Sequence, residues 1–423
     1  MNVLYFSPRD CWPVTTGARL RDFYFASEVA RDARLTYLGF LTSKELPEGE
    51  VRRENLEALR GSDTILVTRS GGYSKGNILR GLLGPLPISV LNYQSPVMAV
   101  ELERLLKENS FDVVQMEGVH LFPYLDILRA ASKPPKVICD WHNIESELMA
   151  RYAEQTGSPL RKFYARRTAK LLRGLEDKVL GSCDAHVVCS EREKQLLLQR
   201  QPNARIEAVG NGVDVEQHSD EAIEQACREF PHLCCTGEGS AGGRTKVVFV
   251  GSMDYHANID AVQFFAQDIW PRIRQARPDL ELLVVGSRPT TEVLALGKLP
   301  GISVTGTVED VRPFYRCAAT VIVPARIGSG TRLKALEAMA AGVPVISTTL
   351  GVEGLQVTPG QNVVVADSAA DFAAAVARLR AETPEWRTLS EGGRRLVAER
   401  YDWAYLARSL RSLYAEQLAR APV

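Results

Sequence analysis

A chain of 423 residues exceeds what one hydrophobic core of ordinary size organises, so two domains are expected. Hydrophobic residues make up 45% and charged residues 24%, a globular balance that excludes a disordered or fibrous chain. Lys and Arg number 51 and so do Asp and Glu, so net charge gives no footprint for nucleic acid.

Taken in order, Met1 to Asp10 reads as a strand and a turn, without the basic start and longer apolar region of a secretory signal. Runs such as Val321 to Val323 fall far short of a membrane span, and a cytoplasmic chain is expected. Short apolar runs follow at Val3 to Phe6, Leu35 to Phe40, Thr64 to Thr68, Val113 to Met116, Val137 to Cys139, Ala185 to Cys189 and Arg205 to Val209. They alternate with helical patterns, as the strands of a parallel sheet do. Asn211-Gly212 makes a turn, the pattern loosens from Asp220, and TGEGSAGGR ends at Arg244 as a flexible connection. A second alternation runs through Lys246 to Val250, Glu281 to Val285, Ile302 to Thr305, Thr320 to Val323, Val343 to Ser347 and Val363 to Ala366. Helical patterns fill its gaps at Ile259 to Ala276 and Ser368 to Arg380, and Trp403 to Leu418 is a last amphipathic helix.

The fold class predicted is α/β, with two tandem doubly wound Rossmann-like domains facing a central cleft where a ligand belongs. Residues 1–215 form the first domain, 216–244 a flexible linker, 245–400 the second, and 401–423 a helix crossing back to the first. The eight cysteines contain no CxxC pair, and reduced thiols are expected.

The stretch from Pro324 to Thr348 carries the most chemistry. Its strand breaks at Gly328, Ser329, Gly330 and Thr331, and a helix with Leu333, Leu336 and Met339 at helical spacing follows. Free amides at such a helix start face an anion docked at the strand's carboxyl end. Arg332 and Lys334 lie in the first turn, where the helix dipole alone disfavours cations, so a bound anion accounts for them. Glu337 lies one turn beyond Lys334. A glycine turn that needs no ligand explains the same letters when they stand alone. A dinucleotide loop fits poorly, because Leu333 stands where a third glycine is needed, and no G-x-x-x-x-G-K-[ST] occurs.

Five strings converge: Gly17-x-x-x-Arg21, Asp140-Trp141-His142-Asn143, Asn211-Gly212-Val213-Asp214, Gly251-Ser252-Met253 and GSGTRLKALEAMAAGVPVIST. Together they resemble a family 4 retaining glycosyltransferase of the GT-B fold, of the kind that assembles polysaccharides. The resemblance covers nearly the whole chain and is strongest from Lys246 to Leu355. It implies that Gly17 and Gly251 lie in loops approaching the donor, and that His142 lies near the sugar-phosphate. It places Arg326 and Lys334 against the diphosphate, with His142 the catalytic set. Ser329, Gly330, Thr331, Arg332 and Leu333 fall in the donor-binding turn, and Glu337 accepts from ribose hydroxyls. Cations and amides suit a leaving nucleoside diphosphate that gains charge, and neither a metal nor a cofactor is required.

Two departures stand out. The family's Glu-x7-Glu pair is broken, since Ser329 lies eight residues before Glu337. The Arg and Lys common after the glycine at 251 are replaced by SMDYHANID, with His256 and Asn258, which leaves Arg332 as a local substitute. On the acceptor side, Ser70 to Leu91 resembles the family's mobile N-domain region that shapes acceptor sites. Arg161 to Arg173 mixes six cations with Phe163, Tyr164, Leu171 and Leu172, suited to an anionic membrane at the inner face, although a charge run of this kind is more often a solvated surface. The expected partners are a nucleoside-diphosphate sugar and a glycan or lipid-linked acceptor. A sugar-nucleotide epimerase, a phosphorylase or a non-catalytic nucleotide-sugar binder shares the same donor face.

Overall fold

Most of the apolar runs become strands buried on both faces, as parallel sheets covered by helices require. In this computed structural model, residues 1–14, 16–69, 74–234, 244–327 and 332–420 are described. The first sheet comprises β1 (Asn2–Ser7), β2 (Arg34–Thr42), β3 (Val51–Leu56), β4 (Ser62–Arg69), β5 (Val113–Glu117), β6 (Lys136–Trp141), β7 (Ala185–Val188) and β8 (Ile206–Ala208). Its order is β3-β4-β2-β1-β5-β6-β7-β8, parallel except where β3 pairs antiparallel with β4. Sequence reading misses β3 because VRRENL is polar and largely exposed. Charges on an edge strand of this kind block further pairing.

The second sheet comprises β9 (Lys246–Val250), β10 (Glu281–Val285), β11 (Ile302–Gly306), β12 (Ala318–Val323), β13 (Val345–Ser347) and β14 (Val364–Val365). Its order is β11-β10-β9-β12-β13-β14, and every pairing is parallel. Two apolar clusters pack it. One gathers Phe249, Phe265, Trp270 and Phe372, and the other Val248, Tyr315, Leu336 and Met339. The first sheet's core contains Leu4, Phe6, Leu38, Met116 and Trp141.

The chain divides into two compact units, Met1–Gly210 with Leu406–Val423, and Asn211–Tyr405. The stretch read as linker is partly ordered within the second unit. Ser219 caps the Asp220–Glu229 helix, which buries Ile223 and Ala226. Residues 235–243 lie outside the described residues. The last helix runs Trp403–Ala419, and within the first unit Tyr414 donates to Gln115 Oε1 at 3.0 Å while Arg205 pairs with Glu416 at 2.7 Å. The single helix read over Ile259 to Ala276 is interrupted by a π-turn at Phe265–Ile269. Pro271, at the start of the helical segment that follows, has no N–H to donate back, which accounts for the lost α-type bond. Cys11, Cys139, Cys183, Cys189, Cys227 and Cys234 are free thiols, whereas Cys317 is disulfide-bonded, a departure from the reduced state expected throughout. Among the described residues no helix is long and apolar enough to cross a membrane.

Candidate functional site

In the first sheet the chain leaves β1 toward β2 and β4 on one side and returns to β5 on the other. The loops beyond the carboxyl ends of β1 and β5 therefore part, and such a switch point is where open α/β sheets bind ligands. Gly17 opens the Gly17–Val29 helix there, and the Thr16 hydroxyl caps it by accepting from Arg19 N at 3.3 Å. Arg21, buried, donates from Nε and Nη2 to the two Asp140 oxygens at 3.0 Å each and from Nη1 to the Gly210 carbonyl at 3.1 Å. The arginine of the Gly17-x-x-x-Arg21 string thus fastens the helix to β6.

One residue further, Asp22 turns to the opposite task. Its Oδ2 accepts from Ser7 at 2.7 Å and from Arg9 at 2.9 Å, while its Oδ1 lies 3.2 Å from His142 Nε2. The same ring nitrogen lies 2.8 Å from Glu117 Oε2, at the end of β5. Burial opposes ionisation of Asp22, yet Arg9 and His142 outweigh it and hold the carboxyl down at about 2. Burial together with Asp140 and Asp22 pushes Glu117 up to about 7. Burial alone lowers an imidazole, but hydrogen bonds to Asp22 and Glu117 raise His142 to about 9. Asp22 and Glu117 thus both favour the charged form of the His142 ring at its Nε2. The three side chains have ligand-type atoms within 4.8 Å of one another, the spacing of a cation site, and the ring nitrogen sits between the oxygens such an ion would need. Sequence reading finds His142 but not Asp22 or Glu117. The available signal was a carboxylate ending the apolar run VVQME.

The second sheet repeats the switch between β9 and β12. Gly251 follows β9, and a methyl group there would lie 2.7 Å from Asn258 Nδ2 and 3.1 Å from Lys334 Nζ. The glycine is what lets those two side chains meet. Lys334 Nζ donates to Asn258 Oδ1 at 2.7 Å and sits 4.3 Å from the centre of the Phe249 ring. Burial pulls its pKa down to about 7. Asn258 is fixed in turn by donating to the Ser252 carbonyl at 2.9 Å. The departure noted at SMDYHANID is thereby explained in part, since an amide, not a second cation, lines the position beside Lys334.

Arg332 precedes the Leu333–Ala340 helix, and burial lowers its pKa. Its Nε is buried without a hydrogen-bond partner among the described residues, and Glu353 lies 3.8 Å from its Nη2. Arg326 is engaged otherwise, in a two-pronged pair with Asp260 at 3.1 and 2.6 Å and over the Phe264 ring at 4.4 Å. Glu337 accepts from the Tyr315 hydroxyl at 3.3 Å. Leu333 is the first residue of the helix, while Ser329, Gly330 and Thr331 lie outside the described residues. The structure thus gathers Gly251, Lys334, Asn258 and Arg332 at the β9 and β12 ends and gives Arg326 an acidic partner, the alternative to a diphosphate contact that its sequence position left open.

Comparison with known proteins gives these two centres a family. Residues 54–217 match the family described as Glycosyltransferase Family 4, and residues 244–382 match that described as Glycosyl transferases group 1. The chain carries a Glycosyltransferase Family 4 domain followed by a Glycosyl transferases group 1 domain, on the GT-B fold. Among curated relatives, an uncharacterised 44.6 kDa protein in the cps region of Klebsiella pneumoniae is 23% identical over 37% of this chain and 42% of its own. D-inositol 3-phosphate glycosyltransferase of Corynebacterium kroppenstedtii is 26% identical over 58% of this chain and 56% of its own. The chain thus spans about half the length of the curated relatives it matches. Among solved structures, Anabaena Alr3699/HepE in complex with UDP superposes with a TM-score of 0.63 at 13% identity, covering 98% of this chain and all of that one.

Proposed function

We propose that this glycosyltransferase moves a sugar from a nucleoside-diphosphate sugar to a glycan or lipid-linked acceptor, with retention at the anomeric carbon, in cytoplasmic steps of cell-surface polysaccharide assembly. The observation that carries the donor assignment is the cationic pair at the end of β12. Arg332 keeps a buried Nε without a partner among the described residues, and Lys334 is buried against an amide and a ring face. Glu353, 3.8 Å from Arg332 Nη2, leaves that Nε unmet, and Lys334 meets an amide, so both cations suit a bound diphosphate.

On this reading, Lys334, Arg332 and the helix start hold the diphosphate and stabilise the charge it gains as the glycosidic bond breaks. Glu337 accepts from the nucleotide's ribose hydroxyls. His142 acts at the reacting sugar, where a fixed imidazolium donates to an oxygen that gains charge in the transition state. Arg326 joins the diphosphate only by exchanging its Asp260 partner. The UDP complex of the Anabaena protein and the cps region of the Klebsiella relative agree with this assignment of donor and setting.

The test follows donor consumption with and without glycan or lipid extracts, and reads the anomeric configuration of product by NMR. Acceptor-dependent consumption with retained configuration is expected. Turnover of donor without acceptor to an epimer, or no turnover with intact nucleotide binding, overturns the reading.

A further inference from the structure

In the first unit, the helices Lys75–Leu83 and Pro159–Ser182 show solvent apolar side chains that their packing does not use. Leu79 and Leu83, one turn apart, are 59% and 78% exposed, and Leu160 and Phe163 are 78% and 68% exposed. The inner faces of both helices are already filled. Gly81 sits so close to Ile88 that an added methyl would lie 2.8 Å from its Cβ, and Ala165, Thr168 and Leu172 are buried beneath the longer helix. The exposed leucines and phenylalanine therefore contribute little to folding, and side chains of this size grouped on a surface mark an interaction site.

A hydrogen bond brings the two groups together. Arg167 Nη2 donates to the Gly84 carbonyl at 2.7 Å, just past the end of the first helix. Arg167 stands seven residues after Leu160 and four after Phe163, so the three share one side of their helix. Beside the joint lies a cavity of about 380 Å³ lined chiefly by Leu79, Leu83, Pro85, Leu86 and Leu91.

Charge selects the occupant. Ser74 to Leu91 contains no Asp or Glu, and neither does Pro159 to Arg173, which carries six cations. Arg166, Lys170 and Arg173 form no ion pair with a described residue. Further along the same helix acids return, and Arg200 at once pairs with Glu176 and Asp177 at 2.7 Å each. Phe163, Arg166 and Lys170 fall on the side opposite the buried Ala165 and Leu172. Apolar anchors ringed by unneutralised cations, without acids, match an anionic lipid surface, which offers acyl chains and phosphates in the plane such a patch presents.

We propose that Leu79, Leu83, Leu160 and Phe163, with Arg80, Arg166, Lys170 and Arg173 around them, form a docking face for an anionic membrane. The proposal deepens the lipid-linked acceptor reading, but its test reads membrane binding without sugar transfer, so either can fail alone.

Sedimentation of the full chain with phosphatidylcholine vesicles, with and without phosphatidylglycerol, decides it. The wild type is expected to bind the anionic vesicles at low salt and to release as salt rises. Arg166→Glu with Lys170→Glu should weaken binding about tenfold or more. Leu83→Ser with Phe163→Ser should weaken it by a similar factor, and unchanged circular-dichroism melting shows that both variants are folded. No binding by the wild type at low salt, equal binding to neutral vesicles, or undiminished binding by either variant overturns the proposal. So does a concentration-dependent dimer, seen by analytical ultracentrifugation, that Leu83→Ser with Phe163→Ser abolishes while vesicle binding is absent, because a second copy then covers the face.

Discussion

Single side chains divide the chemistry. The Glu337 carboxylate accepts from the Tyr315 hydroxyl, and Glu337→Gln keeps its size while removing the charge proposed to accept from ribose hydroxyls. Nucleoside-diphosphate affinity is expected to fall by about 1–3 kcal/mol in that variant, the range for charge-assisted hydrogen bonds. His142→Ala should leave that affinity nearly intact and lower kcat, because a contact made at the reacting sugar counts mainly in the transition state. Calorimetry and a donor-consumption assay separate the two, and equal loss of affinity in both variants refutes the division. Lys334 carries a prediction in pH. Its pKa, lowered by burial from 10.5 to about 7, means that the folded protein has shed a proton that the unfolded chain still holds between those values. Stability therefore gains from this group as pH rises from about 7 toward 10.5. Diphosphate binding favours the charged form, so at pH 8 complex formation should take up a proton. The enthalpy measured in buffers of different ionisation heat should then differ by close to one buffer proton. Identical enthalpies in all buffers, or the same uptake in Lys334→Met, count against it.

At the scale of elements, glycines and ion pairs fix where the strand ends meet the helices. Gly251→Ala directs a methyl at Asn258 Nδ2 and Lys334 Nζ, which lie 2.7 and 3.1 Å from its place. The backbone there is not in a left-handed conformation, so the fold is expected to persist while the lysine is displaced. Thermal stabilisation by nucleoside diphosphate should be largely lost with little change in the melting temperature of the free protein. A variant that binds as the wild type does shows that Lys334 is not held for the diphosphate. The first unit uses a buried pair instead. Arg21 and Asp140 are both fully enclosed and join the helix after β1 to the strand that delivers His142. Removing one partner leaves the other charge uncompensated, a cost of about 3–5 kcal/mol in buried pairs.

At the scale of the molecule, the two units carry different halves of the proposed reaction, the nucleotide on Asn211–Tyr405 and the imidazolium on Met1–Gly210. Hydrogen exchange read by mass spectrometry should show protection by nucleoside diphosphate at the carboxyl ends of β9 and β12 and at the Leu333–Ala340 helix, with β5 and β6 little changed. Protection confined to β5 and β6 contradicts the donor assignment.

Much of this plan was legible in the sequence alone. Among the described residues thirteen strands followed from apolar runs, most of them buried on both faces and so apolar throughout, and the polar edge strand β3 escaped. The positions of Arg332 and Lys334 at the start of the Leu333–Ala340 helix were legible because helix starts are local properties of the chain. What local order does not determine is which distant charges meet. Asp22 and Glu117 lie 95 residues apart, and His142 a further 25, yet the switch between β1 and β5 brings them onto one ring nitrogen. The pairing of Arg326 with Asp260, the amide beside Lys334, and the meeting of two exposed apolar helices at Gly84 are likewise set by the tertiary fold. Each depends on strand order, which decides which loop ends are neighbours, and hence which ionisations burial permits.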